Sequence, residues 1–150
     1  MAHIVAPKPA HAGLPIFFNV DGVVGAPPSV NGREDVLLVQ FAFYLIGKTP
    51  LPTSKPATTA AAKQVQVTGV CDPQTIAAIR TIQASKGGTV DGRVSPSQNN
   101  QYSYGSGVWI ISHLNDSMQE RSMDVWPRLD KISGCPAELA AMVKRVLIGT

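Results

Sequence analysis

The sequence predicts a mainly α-helical fold: a small three-helix domain with an extended N-terminal arm and additional C-terminal helices. One helix, from Asp72 to Gly87, is marked at both ends by residues that favour helix termini. A second stretch, residues 36–46, is almost wholly apolar and is preceded by acidic residues and followed by a glycine. The first 30 residues contain five prolines, which disfavour a helix there.

The clearest predicted helix begins at Asp72, whose carboxylate can accept hydrogen bonds from the free N–H groups of the first turn. Pro73 suits the first helical position because its fixed φ is helical and its missing N–H is not needed. Gly87 ends the helix, since glycine adopts the left-handed conformation at low cost. The face predicted to contact the core carries Ile76, Ile79 and Ile82.

Composition narrows the function classes. Charged residues make up 15% of the chain, below the usual quarter, and hydrophobic residues make up 44%. The net charge is +3, and the basic residues are scattered singly, so we expect no nucleic-acid partner. No apolar run is long enough for a signal-peptide core or a membrane span. We therefore expect synthesis in a bacterial cytoplasm without a signal peptide and no membrane insertion.

Residues 1–30 are predicted to form a Pro-rich extended arm. Within the arm, two short β-prone runs flank Asp21-Gly22, a pattern that weakly indicates a hairpin. Phe17 and Phe18 are costly to leave in water. We therefore expect the arm to dock, either on its own domain or on a partner.

The first helix is predicted from Asn31 to Gly47, with Asn31 or a nearby residue as its N-cap. Past the first turn Gln40 is its only strongly polar residue, so the helix must be covered on nearly all sides. The arm, the C-terminal helices or another subunit are expected to supply that cover. Residues 48–64 predict a polar inserted loop, and residues 64–69 a short strand.

Two further helical segments are predicted after residue 107. The first has apolar residues near helical spacing from Trp109 onward and is broken by Pro127. The second starts at Pro136 and has basic residues in its last turns. The predicted divisions are an arm at 1–30, a helical domain at 31–107 with an inserted loop at 48–64, and a C-terminal helical extension at 108–150.

The central helix and its flanking turns carry a recognisable motif. It reads Thr68-Gly69-Val70-Cys71-Asp72-Pro73-Gln74-Thr75-Ile76-Ala77-Ala78-Ile79-Arg80-Thr81-Ile82-Gln83, followed by Asp91-Gly92. It resembles the peptidoglycan-binding-like domain, whose helix follows Asp-Gly-x-x-Gly-x-x-Thr-x-x-Ala-Ile/Val-x-x-Phe-Gln before a second Asp-Gly. The first helix carries the similar pattern Val36-x-x-Val39-Gln40, which resembles the family's opening Val-x-x-Leu/Val-Gln, and such an internal pseudo-repeat is expected of that family. The resemblance covers residues 30–96 and implies a three-helix module and possible binding of peptidoglycan.

The polar loop at residues 95–107 and its C-terminal flank contain the candidate glycan contacts. Tyr102, Tyr104 and Trp109 offer aromatic faces that can stack on sugar rings, beside amide side chains that can bind hydroxyls. The alternative is an ordinary surface loop in which the tyrosines are anchors, and this is the commoner case.

No catalytic constellation is predicted. The three histidines lack metal-ligand spacing, so we expect no metal and no other cofactor. Asp116, Glu120 and Asp124 recur every fourth residue, which is typical of a solvated helix face. A glycosidase would need two opposed carboxylates instead. His113, among apolar neighbours, is predicted to be a core histidine with satisfied hydrogen bonds.

Cys71 and Cys135 each precede a predicted helix. Two free thiols are the default for a cytoplasmic protein, and a disulfide between them is the alternative.

Two functions remain open from the sequence. The first is a non-catalytic structural or adaptor component of a phage virion or phage-like injection particle, with other subunits as partners. The second is a stand-alone peptidoglycan-binding protein that targets a separate hydrolase or effector. The apolar first helix, the arm and the low surface charge favour the first function. The candidate interface residues are Phe17, Phe18, Phe41, Tyr44 and Trp126.

Overall fold

A computed structural model describes residues 2–7, 9–11, 13–105 and 107–148. Five α-helices lie in this part of the chain: α1 Arg33–Lys48, α2 Pro56–Lys63, α3 Pro73–Lys86, α4 Ile110–Glu120 and α5 Ala137–Ile148. The described chain also has three antiparallel pairs of short strands: β1 His3–Val5 with β2 Phe17–Asn19, β3 Val24–Gly25 with β4 Arg93–Val94, and β5 Ser103–Tyr104 with β6 Gly107–Val108. The fold is therefore helix-rich with small sheets.

Helix α1 lies at the centre of the fold. Twelve of its residues are buried, because α2, α4, α5 and β3 all pack against it. Two bidentate ion pairs join its first turn to α5, one between Arg33 and Glu138 at 2.6 Å and one between Arg145 and Glu34 at 2.8 Å. The chain itself thus supplies the cover that this apolar helix requires. Its predicted N-cap is not a side chain, since Gly32 occupies that position.

Helix α3 begins and ends as the sequence predicts. The Asp72 carboxylate accepts the Thr75 N–H at 2.9 Å, Pro73 follows it, and Gly87 is left-handed. Ile79 and Ile82 are buried, as expected for the core face. Ile76 is only half-buried, because it lies at the edge of that face.

The arm is part of the core of its own chain. Phe17 and Phe18 are completely buried, and the side-chain amide of Asn115 on α4 bonds both the N–H and the C=O of Phe18 at 2.7 and 2.8 Å. The predicted hairpin around Asp21-Gly22 is wrong. Its two flanking runs pair with other strands, and both Asp21 and Gly22 donate their N–H groups to the Asp35 carboxylate instead.

A completely buried glutamine side chain fixes the turn before α3. Gln40 Oε1 accepts the N–H groups of Thr68 and Gly69, each at 2.9 Å. Its Nε2 donates to the Val70 carbonyl at 2.8 Å and to the Thr75 hydroxyl at 3.1 Å. Gly69 has a φ of +83°, which a residue with a Cβ rarely adopts. The only strongly polar residue of the apolar stretch is therefore a hydrogen-bonding centre.

Gln83 on α3 repeats this arrangement. Its Oε1 accepts the Gly92 N–H at 2.9 Å, and its Nε2 donates to Asp91 Oδ1 and to the Arg93 carbonyl at 2.9 and 3.0 Å. Gly92 also has a positive φ, of +72°. The pseudo-repeat in the sequence thus corresponds to two glutamines that each hold a glycine turn.

The segment between α1 and α3 differs from its prediction. Residues 48–64 are not only a loop, because the alanine-rich part forms α2, and Ala62 buries its methyl group beside α1. The expected strand at residues 64–69 is absent from the described chain. Val65 and Val67 still face inward there, so the alternation of apolar and polar residues reflects their burial and not pairing with another strand.

The C-terminal helices follow the predicted order with one shortened end. Helix α4 stops at Glu120, well before Pro127, and Met123 beyond it is 78% exposed. Helix α5 buries Leu139 and Val143 against the rest of the chain. Among the described helices, none combines the length and apolar character needed to cross a membrane.

Both cysteines are free thiols, so the alternative of a Cys71–Cys135 disulfide is wrong for this structure. Burial raises the pKa of Cys71, and it raises the pKa of Cys135 to about 11. Both thiols should therefore be protonated and slow to react near neutral pH.

We predict that Gln40→Leu lowers the free energy of unfolding by about 2–3 kcal/mol, because it leaves the turn's N–H groups without their acceptor. Urea unfolding monitored by circular dichroism measures this. The matched control is Gln66→Leu, whose side chain is exposed and whose effect should stay within about 0.5 kcal/mol. Equal losses in the two variants would contradict the assigned role of Gln40.

We predict that the denatured chain has two titratable thiols, whether or not it was first treated with reductant. In the native protein, reaction with a thiol reagent at pH 7 should be slow, because both thiols are shielded and protonated. Fewer thiols in the untreated sample would show that a disulfide forms.

Candidate functional site

An open groove lies between the C-terminal end of α3, the turn before β4, and the β5–β6 hairpin with the start of α4. Its volume is about 770 Å³. Two aromatic side chains line it, together with polar groups and exposed glycine backbone from the Gly87-Gly88 turn. A concave surface with aromatic walls and a few fixed polar groups is typical of a ligand site.

Tyr104 and Trp109 form the aromatic wall of this groove. Their ring centroids are 4.6 Å apart, and the rings are tilted by 53°. Tyr104 is 50% exposed, while Trp109 is half-buried against the core. Gly107 allows the Tyr104 ring to lie across the hairpin, because a Cβ at Gly107 would approach that ring to 2.9 Å. The short strand pair therefore presents an aromatic face to solvent.

Tyr102, the third predicted glycan contact, does not line the groove. Its ring stacks on His11 at 3.8 Å, and its hydroxyl donates a hydrogen bond to the Asp116 carboxylate. Burial, followed by this bond, raises the pKa of Tyr102. The anchoring alternative thus describes Tyr102, and the ligand-contact alternative remains for Tyr104 and Trp109.

The floor of the groove is held rigidly by the Gln83 network. Asp91 Oδ1 accepts hydrogen bonds from Gln83 Nε2 and from the Arg93 N–H, at 2.9 and 3.0 Å. The Arg93 guanidinium donates to the carbonyls of Ala26 and Pro27 in the arm, at 3.2 and 2.8 Å. These bonds fix one carboxylate and one guanidinium beside the aromatic wall.

Lys86 and His113 lie where this groove meets a second, smaller cavity, and both line the two spaces. Lys86, in the last turn of α3, has no ion-pair partner among the described residues. His113 is half-buried rather than in the core. Burial, and then the Lys86 charge, lower the pKa of His113 to about 4.

The candidate interface residues are mostly internal. Phe17, Phe18 and Phe41 are completely buried, so they are not available to a partner and that prediction is wrong for them. Tyr44 is half-buried and stacks on Phe41 at 5.6 Å. Trp126 packs edge-on against Phe18 at 5.8 Å, and its indole N–H is buried without a described partner.

The acidic residues of the α4 region do not form the predicted solvated face. Asp116 is half-buried against Tyr102, burial raises its pKa, and Asp124 lies beyond the end of α4. Asp91 is the only carboxylate among the described residues that line the larger groove. No cluster of three or more histidine, cysteine, aspartate or glutamate side chains that could hold a metal occurs in the described ranges.

Sequence reasoning missed Lys86, Asp91, Arg93 and His113 as lining residues. Asp91 could have been suspected, because it belongs to the second Asp-Gly of the motif. The position of the β5–β6 hairpin beside the end of α3 has no local sequence signal, since it depends on a contact between distant segments.

We predict that stability falls by about 1 kcal/mol as the pH decreases from 6.5 to 4. The pKa of His113 is lower in the folded chain, so the unfolded chain binds the proton first and is favoured by acid. This magnitude is discounted because the ring is partly exposed. The raised pKa of Asp116 changes stability in the opposite direction, because ionisation of this carboxyl group lowers stability as the pH rises above 3.8.

Urea unfolding at a series of pH values, compared between the wild type and His113→Gln, isolates the histidine because the Asp116 contribution is common to both. The stability difference between the two proteins should change across this range. A difference that is independent of pH would contradict the assignment.

Comparison of the chain with protein-family models, with curated proteins and with solved structures found no match. The residues and their geometry are therefore the basis for any proposal about function.

Proposed function

We propose that this chain is a non-catalytic peptidoglycan-binding-like module that attaches to bacterial cell-wall glycan through the groove at Tyr104 and Trp109. The observation that carries the proposal is the pairing of these two rings, one of them half exposed, over a polar floor. The CH faces of a pyranose ring can pack on aromatic rings, while its hydroxyls bind neighbouring polar groups.

The arrangement of the helices supports the family resemblance. Gln40 and Gln83 end the two halves of the pseudo-repeat, and each bonds the N–H of a glycine turn. An internal repeat requires that equivalent residues have the same structural role in both halves, and the two glutamines meet this requirement. The resemblance concerns the frame, while the groove adds residues from outside the motif.

A binding role fits the groove better than hydrolysis. A glycosidase places two carboxyl groups on opposite sides of the scissile bond. Asp91 is the sole carboxylate along the described lining, and two hydrogen bonds from the chain already occupy one of its oxygens.

The alternative, a structural component of a phage virion or injection particle, loses two of its supports. The apolar first helix is covered by elements of the same chain, and Phe17 and Phe18 of the arm are buried in its core. Neither feature requires another subunit. Such a module can deliver either a particle or a separate hydrolase to the cell wall. Both functions need the groove, so the groove is tested first.

We predict that the wild-type protein sediments with purified sacculi and that Tyr104→Ala weakens this binding about 5- to 10-fold, through the loss of ring stacking. Trp109→Phe should weaken it less, because a smaller aromatic face remains. Met123→Ala, which removes an exposed apolar side chain away from the groove, is the control and should bind like the wild type.

Circular dichroism spectra of all four proteins establish that they are equally folded. Failure of the wild-type protein to bind sacculi, or unchanged binding by folded Tyr104→Ala, would contradict the proposal.

A further inference from the structure

The second cavity lies directly beside the proposed glycan groove. It has a volume of about 250 Å³ and is bounded by α2 with its preceding loop, the end of α3, and one face of α4. The two spaces share Lys86 and His113 in their linings. The two spaces are therefore neighbours, with Lys86 and His113 at their border.

Three cationic side chains line this cavity, and none has a carboxylate partner in the part of the chain that the structure describes. Lys55 Nζ donates to the Ser85 carbonyl at 2.7 Å. The Arg121 guanidinium donates to the carbonyl of Thr49 at 2.7 Å, with further bonds to Ser117 and Ser54. The side chain of Lys86 makes neither an ion pair nor a hydrogen bond with the described residues. The hydrogen-bond acceptors of Lys55 and Arg121 are thus all neutral.

Some arginines outside the cavity do pair with carboxylates. Arg33 pairs with Glu138, and Arg128 pairs with Asp130, each through a bidentate carboxylate. These arginines have carboxylate partners, whereas Lys55 and Arg121 donate only to neutral acceptors, as Arg93 does.

Two carboxylates also line the cavity, so its three cations and two anions leave one net positive charge. Asp116 accepts a hydrogen bond from the Tyr102 hydroxyl, and it is half-buried. Glu120 is exposed at the last residue of α4. Threonine hydroxyls from Thr58 and Thr59 on α2 add neutral donors to the lining. Cations with hydroxyl donors form a suitable setting for an oxyanion.

We propose that this cavity is a subsite for a carboxylate carried by the glycan that lies on Tyr104 and Trp109. Lys86, at the junction, is the first charge that such a substituent would meet, and Lys55 and Arg121 lie further in. The inference rests on the proposed function, and it narrows the ligand from glycans in general to acidic glycans. A neutral homopolymer would occupy only the aromatic groove.

The test uses one glycan in two forms: a tetrasaccharide of alternating N-acetylglucosamine and N-acetylmuramic acid, and the same molecule with its lactyl carboxylates converted to amides. Isothermal titration calorimetry with the full chain should give about 10-fold tighter binding of the acid, as expected for a charge-assisted hydrogen bond. Lys86→Gln should reduce the ratio of the two affinities, acid over amide, to within about two-fold.

Lys63→Gln is the matched control, because it removes the same charge from an exposed lysine of α2 that does not line the cavity. It should retain the preference for the acid. Equal affinity of the wild type for acid and amide, or an equal loss in both lysine variants, would overturn the subsite and leave the glycan groove standing. Binding of neither form would overturn both proposals.

Discussion

The fold depends on the hydrogen bonds of two buried glutamine side chains. Gln40 and Gln83 lie on consecutive long helices, α1 and α3, and each bonds the backbone of a turn whose glycine has a positive φ. A buried side-chain amide without hydrogen-bond partners would destabilise the chain. The glutamine of each helix therefore needs the N–H groups of its turn, and the turn needs the glutamine as acceptor. This mutual requirement sets where α3 begins and where β4 begins. Gln40 of α1 thus holds the turn before α3, and Gln83 of α3 itself holds the turn before β4.

The same bonds connect the frame to the proposed binding surface. Gln83 holds Asp91 and Gly92, and the Gly92 carbonyl in turn accepts the Ala26 N–H of the arm at 2.9 Å. The floor of the groove is thus built from the motif, while its wall comes from the later hairpin. Asn115 ties α4 to the arm, so the element that follows Trp109 is fixed to the same core. A rigid floor and wall reduce the conformational entropy that a ligand must remove on binding.

The helix-rich architecture could be predicted from the sequence wherever a signal is local. The Asp72 cap, the Gly87 terminus and the apolar character of α1 all involve residues close together in the chain, and the structure bears out the helices they indicate. The hairpin at Asp21-Gly22 was wrong because strand pairing is decided by distant partners, here β1 and β4. The candidate site was only partly predictable, because its residues come from distant segments of the chain. Tyr104 and Trp109 could be named as aromatic candidates, but their placement beside Lys86 requires the tertiary fold.

The central claim is that the motif glutamines fix the turns on which the groove is built, and amide hydrogen exchange at Gly92 tests it most directly. This N–H donates to Gln83 Oε1 in a buried position, so its exchange should be slowed to the level of the core helices. In Gln83→Ala the Gly92 exchange rate should rise strongly, while the amides within α1 remain protected. Rapid exchange of Gly92 in the wild-type protein, at the rate of an unstructured peptide, would contradict this account.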